Sequence, residues 1–145
     1  MTHWLLVSSQ DNFETSRARG FDVAGMKTRR RKAAQTVAAG DTVFFYLTKL
    51  KAIGGEARVT GSMYEDHEPI WESSKPDEVY PWRFPTAPVL ARPKGEYVPV
   101  ESFIHELTYA KRWPAEHWTL AFQGNVHTLD ESDYQLIHNA LQEGK

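Results

Sequence analysis

Residues 41–49 read DTVFFYLTK, and the apolar run from Val43 to Leu47 is the clearest structural signal in the chain. Five consecutive apolar residues, rich in β-branched and aromatic types, are typical of a strand whose two faces are both covered. Gly40 lies just before the run, where a glycine commonly ends a helix. The segment therefore predicts a buried strand that follows a helix.

The residues N-terminal to this strand predict one further strand and one helix. WLLVSS, residues 4–9, has a strand composition, and a short helical turn could start at Asn12. Residues 27–39 are good helix formers, so we expect a basic helix that ends at Gly40.

The residues that follow predict two more strands separated by a loop. Residues 52–66, AIGGEARVTGSMYED, form the first, in which Gly54 and Gly55 permit a bulge. The acidic stretch 67–78 is predicted to be a loop that carries Trp71. Residues 83–93, RFPTAPVLARP, form the second strand, and its prolines should confine it to a sheet edge or to strand ends.

The C-terminal third predicts two helices around one strand. Residues 100–107 are expected to form a short helix and residues 118–124, WTLAFQG, a late strand. Residues 129–142 predict a closing helix with Asp130 as its N-cap and an apolar stripe at Tyr134, Ile137 and Leu141.

Together these elements predict one mixed α+β domain over residues 1–145, a small curved sheet or barrel flanked by short helices. A barrel of this size cannot enclose a large cavity. A ligand site would therefore lie at its mouth or between barrel and helix, and would suit a ligand as small as one base.

The composition narrows the classes of function. The 145 residues are 41% hydrophobic and 25% charged, the balance of a soluble domain, and no apolar run approaches the length of a membrane span or a signal peptide. We therefore expect a cytoplasmic protein without membrane contact. The absence of cysteine excludes thiol nucleophiles and cysteine-ligated zinc.

The sequence contains no clear catalytic or metal-binding motif. His105 and Glu106 begin like a zinc-protease helix, but Tyr109 stands where the second histidine would be. Neither a phosphate-binding glycine loop nor a serine-nucleophile elbow is present. We expect no catalytic residue, no metal and no cofactor.

The charge is distributed unevenly. Residues 17–32 carry seven basic residues and one acid, a net charge of +6, whereas the rest carries ten basic against eighteen acidic residues, a net charge of −8. Such a block is either a solvated face or a footprint for phosphate, because Lys and Arg dominate sequence-independent affinity for nucleic acid. The candidates for phosphate binding are Lys27, Arg29, Arg30 and Arg31.

Aromatic residues are more abundant than a core of this size requires. The chain has five Trp, six Tyr and seven Phe. Several lie beside polar residues at predicted strand ends: Trp4 before Ser8, Tyr46 before Thr48, and Trp82 beside Arg83. Aromatic faces with polar rims suit a flat heterocycle, and stacking a base on one is worth about 1–3 kcal/mol.

YPWRFP, residues 80–85, is the stiffest of the aromatic segments. Pro81 and Pro85 flank Trp82 and would lower the entropy cost of presenting its indole as a fixed wall. We expect Tyr46 or another aromatic residue to form the opposing wall. Trp113 and Trp118 are expected in the core.

Four segments together resemble a known family. WLLVSSQDNF at the start, AAGDTVFFY after the basic segment, IGGEARVTGSMYED and YPWRFPTAPVL are similar to the EVE domain, a relative of YTH, ASCH and PUA domains. The likeness is ordered along residues 3–92, with a weaker echo in WTLAFQG. GDTVFFY and the following strand that ends in Tyr64-Glu65-Asp66 are its most specific part.

The resemblance implies a PUA-like fold and a pocket that accepts a single, often modified, nucleobase flipped out of DNA or RNA. Better-known members carry an asparagine-containing motif where this chain reads VAGMKTRRRKAA, which leaves the identity of the base open. Carried over position by position, Lys27 and Arg29 lie on the segment that enters the basic helix. The base-binding pocket would use Trp4, Ser8, Ser9, Asn12, Tyr46, Trp82 and Arg83.

Two other functions stay open at this level. A hydrolase acting on a modified nucleoside could use Lys27 as an amine of lowered pKa and Glu65 or Asp66 as acid or base, supported by Tyr46. Alternatively, exposed aromatic residues could dock a protein partner or a second copy of the chain. The expectation favoured by the residues and by the resemblance is a non-catalytic reader of a methylated base.

Overall fold

The computed structural model describes residues 1–73, 75 and 78–143. The strands are β1 (His3–Ser8), β2 (Val23–Met26), β3 (Thr42–Leu47), β4 (Ala52–Val59), β5 (Tyr64–Glu65), β6 (Trp82–Ala91), β7 (Val98–Pro99) and β8 (Val126–Leu129). The α-helices are α1 (Gln10–Ala18), α2 (Arg31–Ala34) and α3 (Glu131–Glu143). Short 3₁₀ segments cover Thr28–Arg30, Val100–Ser102, Ile104–Glu106 and Ala115–Phe122.

The strands form one curled mixed sheet in the order β2-β6-β4-β3-β1-β8. β1 and β3 are parallel, with Trp4 opposite Val43, and the other pairings are antiparallel. The sheet bends through β6, whose first half pairs with β2 and whose second half pairs with β4. This half-barrel with short helices is the PUA-like α+β fold expected from the sequence.

β3 separates two apolar clusters because its side chains alternate between the two faces of the sheet. Phe44 and Tyr46 pack with the closing helix α3 and the segment 100–122, whereas Val43, Phe45 and Leu47 pack with α1, β2 and Trp82. All six residues of β3 are buried. The prediction of a strand covered on both faces is thus confirmed.

Other predicted elements are confirmed close to their expected bounds. WLLVSS becomes β1, residues 52–66 contain β4 and β5, and the C-terminal helix is α3. The Asp130 carboxylate accepts the backbone N–H of Asp133 at 2.8 Å, as expected of an N-cap. Tyr134, Ile137 and Leu141 are buried as predicted.

Two predictions of secondary structure are wrong, and a third differs in the type of helix. The basic helix of residues 27–39 is only a 3₁₀ turn followed by the four-residue α2, and WTLAFQG is mostly 3₁₀ helix instead of a strand. The helix predicted at 100–107 is two 3₁₀ turns. Trp113, expected in the core, is 36% exposed, while Trp118 is half-buried against the cluster that contains Phe122.

The prediction that the prolines of β6 would lie at a sheet edge or at strand ends is also wrong, because β6 lies between β2 and β4 and the prolines are within it. Pro85 lies opposite Val23 of β2, and its carbonyl accepts the N–H of Thr60 at 2.9 Å. Pro88 lies opposite Ala57, next to the register shift between Glu56 and Ala57. The prolines are tolerated because β6 passes from one neighbour to the next at this point.

Within the described ranges, none of the helices has the length and apolarity needed to cross a membrane. The same residues contain no group of three His, Asp or Glu side chains arranged to hold a metal ion.

Candidate functional site

A pocket opens where the curled sheet brings β2 opposite the end of β1. Its cavity volume is about 40 Å³, or about 390 Å³ when the open space at its mouth is included. We call it the aromatic pocket. Its lining is Leu6, Val7, Ser8, Asn12, Ser16, Ala24, Gly25, Phe45, Trp71, Tyr80 and Asn125.

Trp71 and Tyr80 supply the aromatic walls. Their ring centres are 5.9 Å apart with an interplanar angle of 79°, so the rings meet edge to face. Both residues belong to the connection between β5 and β6. Tyr80 has a φ of 53°, an unusual value for a bulky residue, and such backbone outliers concentrate at functional sites.

Helix α1 fixes the position of Trp71. The indole N–H donates to the hydroxyl oxygen of Ser16 at 2.9 Å. The residue after Trp71, Glu72, is bound by Asn12 of the same helix. The Asn12 amide donates to the carbonyl of Glu72 at 2.7 Å and accepts the Glu72 N–H at 2.8 Å. Asn12 therefore binds the backbone that carries Trp71, and only the remaining capacity of its amide can face a ligand.

Arg83 binds the backbone of the same connection between β5 and β6. It is 1% exposed, and its guanidinium donates to the carbonyls of Tyr80 at 3.2 Å, Val79 at 3.0 Å and Glu68. It also forms an ion pair with Asp66 at 3.4 Å. Arg83 does not line the pocket, so the structure gives it a positioning role behind the aromatic walls.

Gly25 allows the connection to close onto β2. A Cβ atom at this position would lie 2.8 Å from Cζ3 of Trp71 and 3.0 Å from the carbonyl oxygen of Tyr80. Any other residue would push the aromatic side chains away from the sheet.

The rim of the pocket is polar but uncharged. Ser8, Asn12, Ser16 and Asn125 contribute hydroxyl and amide groups, and no Asp, Glu, Lys or Arg is among the described lining residues. Burial, followed by the nearby charge of Glu78, raises the pKa of Tyr80, so its hydroxyl keeps its proton at neutral pH. The pocket therefore suits a neutral, flat ligand with hydrogen-bonding edges.

A basic groove adjoins the aromatic pocket, and Val7 borders both. Four cationic side chains line this groove, Lys27, Arg29, Lys49 and Lys51, and no acid is among its described lining residues. Lys27 approaches the aromatic walls, since its ammonium is 5.9 Å from the Tyr80 ring centre, and it also forms an ion pair with Glu78 at 3.5 Å. The groove is a surface on which phosphates would find positive charge.

Several residues expected in a base-binding pocket lie elsewhere. Trp82 is 8% exposed, belongs to the core cluster beneath β3, and donates its indole N–H to the carbonyl of Thr28 at 2.7 Å. Tyr46 stacks on Phe122 at 4.6 Å in the opposite cluster. The two rings therefore do not form facing walls, because the alternation along β3 directs Tyr46 away from the face that carries Trp82.

Trp4 and Ser9 also have structural partners. The Trp4 indole is buried and donates to Asp41 at 3.0 Å. Ser9 caps α1, since its hydroxyl oxygen accepts the N–H of Asn12 at 3.1 Å. Of the seven residues proposed for the base, Ser8 and Asn12 line the aromatic pocket.

The four residues proposed for phosphate binding separate into three environments. Lys27 and Arg29 line the basic groove. The guanidinium of Arg31 lies 5.3 Å from the centre of the Trp82 ring, as in a cation–π contact. Arg30 lines a different pocket, beside β8.

The groups needed by the hydrolase alternative are not assembled in the pocket. Glu65 contacts His67 at 2.6 Å and Asp66 pairs with Arg83, and neither lines the aromatic pocket. Burial raises the pKa of Tyr46 to about 12, which makes it a poor acid or base near neutral pH.

Comparison with known proteins gives the relationships of this chain. The sequence pattern of the EVE domain matches residues 2–140. A UPF0310 protein of Pyrococcus abyssi is 27% identical over 150 residues, covering 97% of this chain and 100% of that protein.

Solved structures share the fold. A crystal structure of a protein from Pseudomonas putida has a TM-score of 0.61 at 18% identity, covering 95% of this chain and 98% of that one. The Mmi1 YTH domain has a TM-score of 0.68 at 8% identity, covering 98% and 75%. A YTH domain of Mmi1 in complex with RNA has a TM-score of 0.66 at 8% identity, covering 97% and 80%. With the family pattern extending over nearly the whole sequence, this chain belongs to the EVE domain family.

Proposed function

We propose that this protein binds DNA or RNA by holding one flipped, modified base, most simply a methylated one, in the aromatic pocket. The observation that carries the proposal is the conjunction of two surfaces at the end of β1. An uncharged pocket with aromatic walls adjoins a groove lined by four cationic side chains. A nucleotide needs both surfaces, since its base is flat and neutral and its phosphate is an anion.

The interior of the pocket supports a preference for an added methyl group. Leu6, Ala24 and Phe45 form its apolar part. Burying one methyl group there would contribute about 0.8 kcal/mol, and stacking on an aromatic wall about 1–3 kcal/mol. These gains offset a flipping cost of a few kcal/mol, which is smallest in single strands. The expected selectivity for methylation is therefore modest, about fourfold.

The polar rim would select the edge of the base. Ser8 and Ser16 offer hydroxyl groups. The amides of Asn12 and Asn125 already bind backbone groups and keep part of their hydrogen-bonding capacity. Edge hydrogen bonds of this kind are how unstacked bases are distinguished. The YTH domain solved in complex with RNA, which has the same fold, further supports a nucleic-acid ligand.

Tryptophan fluorescence tests the proposal. We would titrate the protein with short single-stranded DNA and RNA that carry one methylated or one unmodified base. Binding should quench the emission of Trp71. Trp71→Ala should remove this response and lower affinity, measured by the anisotropy of a labelled oligonucleotide, about tenfold or more through loss of the stacking wall.

Trp113→Ala is the matched control, because Trp113 is exposed and lies outside the pocket. It should bind as the unchanged protein does. Far-UV circular dichroism would establish that both variants fold. If oligonucleotides at micromolar and nucleosides at millimolar concentration produce no response, the protein is not a base reader.

A further inference from the structure

A second pocket lies beside β8, and four segments distant in sequence converge on it, one of them β1 with Trp4. Arg30 comes from the 3₁₀ turn before α2, Tyr109 and Arg112 from the connection after β7, and His127 from β8. Its cavity volume is about 290 Å³, or about 560 Å³ when the open space at its mouth is included. We call it the β8 pocket.

The β8 pocket is positively charged. Arg30 and Arg112 both line it, and its described lining residues include no Asp or Glu. The guanidinium of Arg112 lies 4.9 Å from the Tyr109 ring centre, so the aromatic face helps to hold this exposed side chain.

Two acids border the adjoining cleft, and both already have partners. Arg112 also lines that cleft with Asp130 and Asp133. The Asp133 carboxylate accepts the N–H groups of Thr108 and Tyr109, each at 2.8 Å, and Asp130 caps α3. These carboxylates therefore serve the backbone and leave the cations of the β8 pocket available.

Two buried nitrogens of the β8 pocket have no hydrogen-bond partner in the part of the chain that the structure describes. They are Nε of Arg30 and Nε2 of His127. Tyr109 hydrogen bonds to Nδ1 of His127. With the hydroxyl donating, the neutral ring carries its proton on Nε2, so both unpartnered atoms are donors. A buried donor without an acceptor is destabilising, and an oxyanion in the pocket would supply the missing acceptor.

The pKa of His127 also reflects the excess of positive charge in the β8 pocket. Burial lowers its pKa, and the charges of Arg30 and Arg112 lower it further. The backbone carbonyls of Gln123 and Phe122 act to raise the pKa of His127, although neither forms a hydrogen bond to Nε2. An anion bound in the pocket would offset the charges of Arg30 and Arg112 and raise the pKa of His127.

Arg30 lines the β8 pocket and also lies against the edge of the basic groove. Nη2 of Arg30 lies 2.9 Å from the position that a Cβ atom would take on Gly124, and Gly124 lines the basic groove. Positive charge therefore extends from the aromatic pocket along the groove to the β8 pocket.

We propose that the β8 pocket binds a phosphate group through Arg30, Arg112 and His127. That the phosphate belongs to the backbone of the bound strand rests on the proposed function. The binding of a phosphate group itself does not, because it needs no base in the aromatic pocket.

The test follows the histidine ring signals of the full chain by NMR, with His127→Gln used for assignment. Inorganic phosphate at millimolar concentration should shift the His127 signals and raise its pKa. Arg112→Ala should weaken phosphate binding about tenfold, the effect of losing one charge-assisted hydrogen bond. Arg19→Ala is the control, because Arg19 is exposed and pairs with Asp22 away from this pocket; it should leave binding unchanged.

A short oligonucleotide separates the two sources of phosphate. If it shifts His127 as inorganic phosphate does, the pocket holds a strand phosphate. If only inorganic phosphate acts, the pocket binds free phosphate and the strand assignment is overturned. If neither perturbs His127, the site is overturned, whereas Trp71 quenching would still report base binding independently.

Discussion

The guanidinium carbon of Arg83 lies 5.4 Å from the centre of the Trp71 indole ring, and both side chains are buried. Arg83 thus follows Trp82 in the sequence but packs against Trp71, which lies twelve positions before Arg83. The contact links the start of β6 to the connection that forms the walls of the aromatic pocket.

Arg83→Met should release this connection. The carbonyls of Glu68, Val79 and Tyr80 would lose their donor, so we expect a loss of about 2–4 kcal/mol in the free energy of unfolding. Oligonucleotide quenching should weaken as well. Denaturant unfolding measures the first effect. Arg19→Met, at an exposed ion pair, should change stability by less than about 1 kcal/mol; equal losses in both variants would contradict the role of Arg83.

Gly25→Ala should narrow the pocket, because the added methyl would meet the Trp71 ring and the Tyr80 carbonyl. We expect a loss of about 1–3 kcal/mol in stability and a clear loss of base binding. Gly20→Ala is the comparison, since Gly20 has a φ of 73° with nothing near its missing Cβ. It should cost about 1–2 kcal/mol through backbone strain and leave base binding intact. Unchanged binding in Gly25→Ala would place the ligand elsewhere.

Glu14 predicts a stability change in acid. Burial acts to raise its pKa, but hydrogen bonds from Arg17 and Tyr97 outweigh burial and lower the pKa from 4.5. Because the folded-state pKa is depressed, the ionised carboxylate stabilises the fold above pH 4.5, and this contribution is lost as pH falls through the lower value.

Glu14→Gln should therefore be less stable than the unchanged protein at pH 7, by less than about 1 kcal/mol, and the difference should shrink below pH 4.5. Urea unfolding at several pH values measures it. A difference that stays constant from pH 7 to pH 3 would show that the charge of Glu14 contributes nothing.

More of the fold than of the candidate site could be predicted from the sequence. The apolar run of β3 and the periodicity of α3 are local signals, and both gave the right element. The short β2 carries no such signal, since VAGM is stabilised by its pairing with β6. The same segment contains Gly25, whose importance depends on a loop about fifty residues away.

The sequence does not indicate which aromatic residues line the aromatic pocket, for a related reason. The prolines that flank Trp82 predict a stiff segment, but stiffness does not determine which face of a strand points outward. Trp71 lies in a polar loop and lines the pocket because Ser16 and Asn12 bind that loop to α1. Aromatic residues in otherwise polar loops were the available signal, and Trp71 and Tyr80 both satisfy it.

Lys49 and Lys51 were missed because they lie outside the basic block of the sequence. They follow β3, have φ values of 60° and 52°, and line the basic groove beside Lys27 and Arg29. Charge that is dispersed along the chain can be concentrated by the fold.

Lys49→Ala and Lys51→Ala should each weaken oligonucleotide binding without changing which base is preferred, because phosphate contacts carry no sequence information. Each should lower the slope of log affinity against log salt concentration by about 1. Fluorescence titrations between low and moderate salt measure the slope. Lys94→Ala removes a lysine outside the groove and should leave the slope unchanged. If Lys94 and Lys49 contribute equally, the strand is attracted by charge in general, and the groove is not its path.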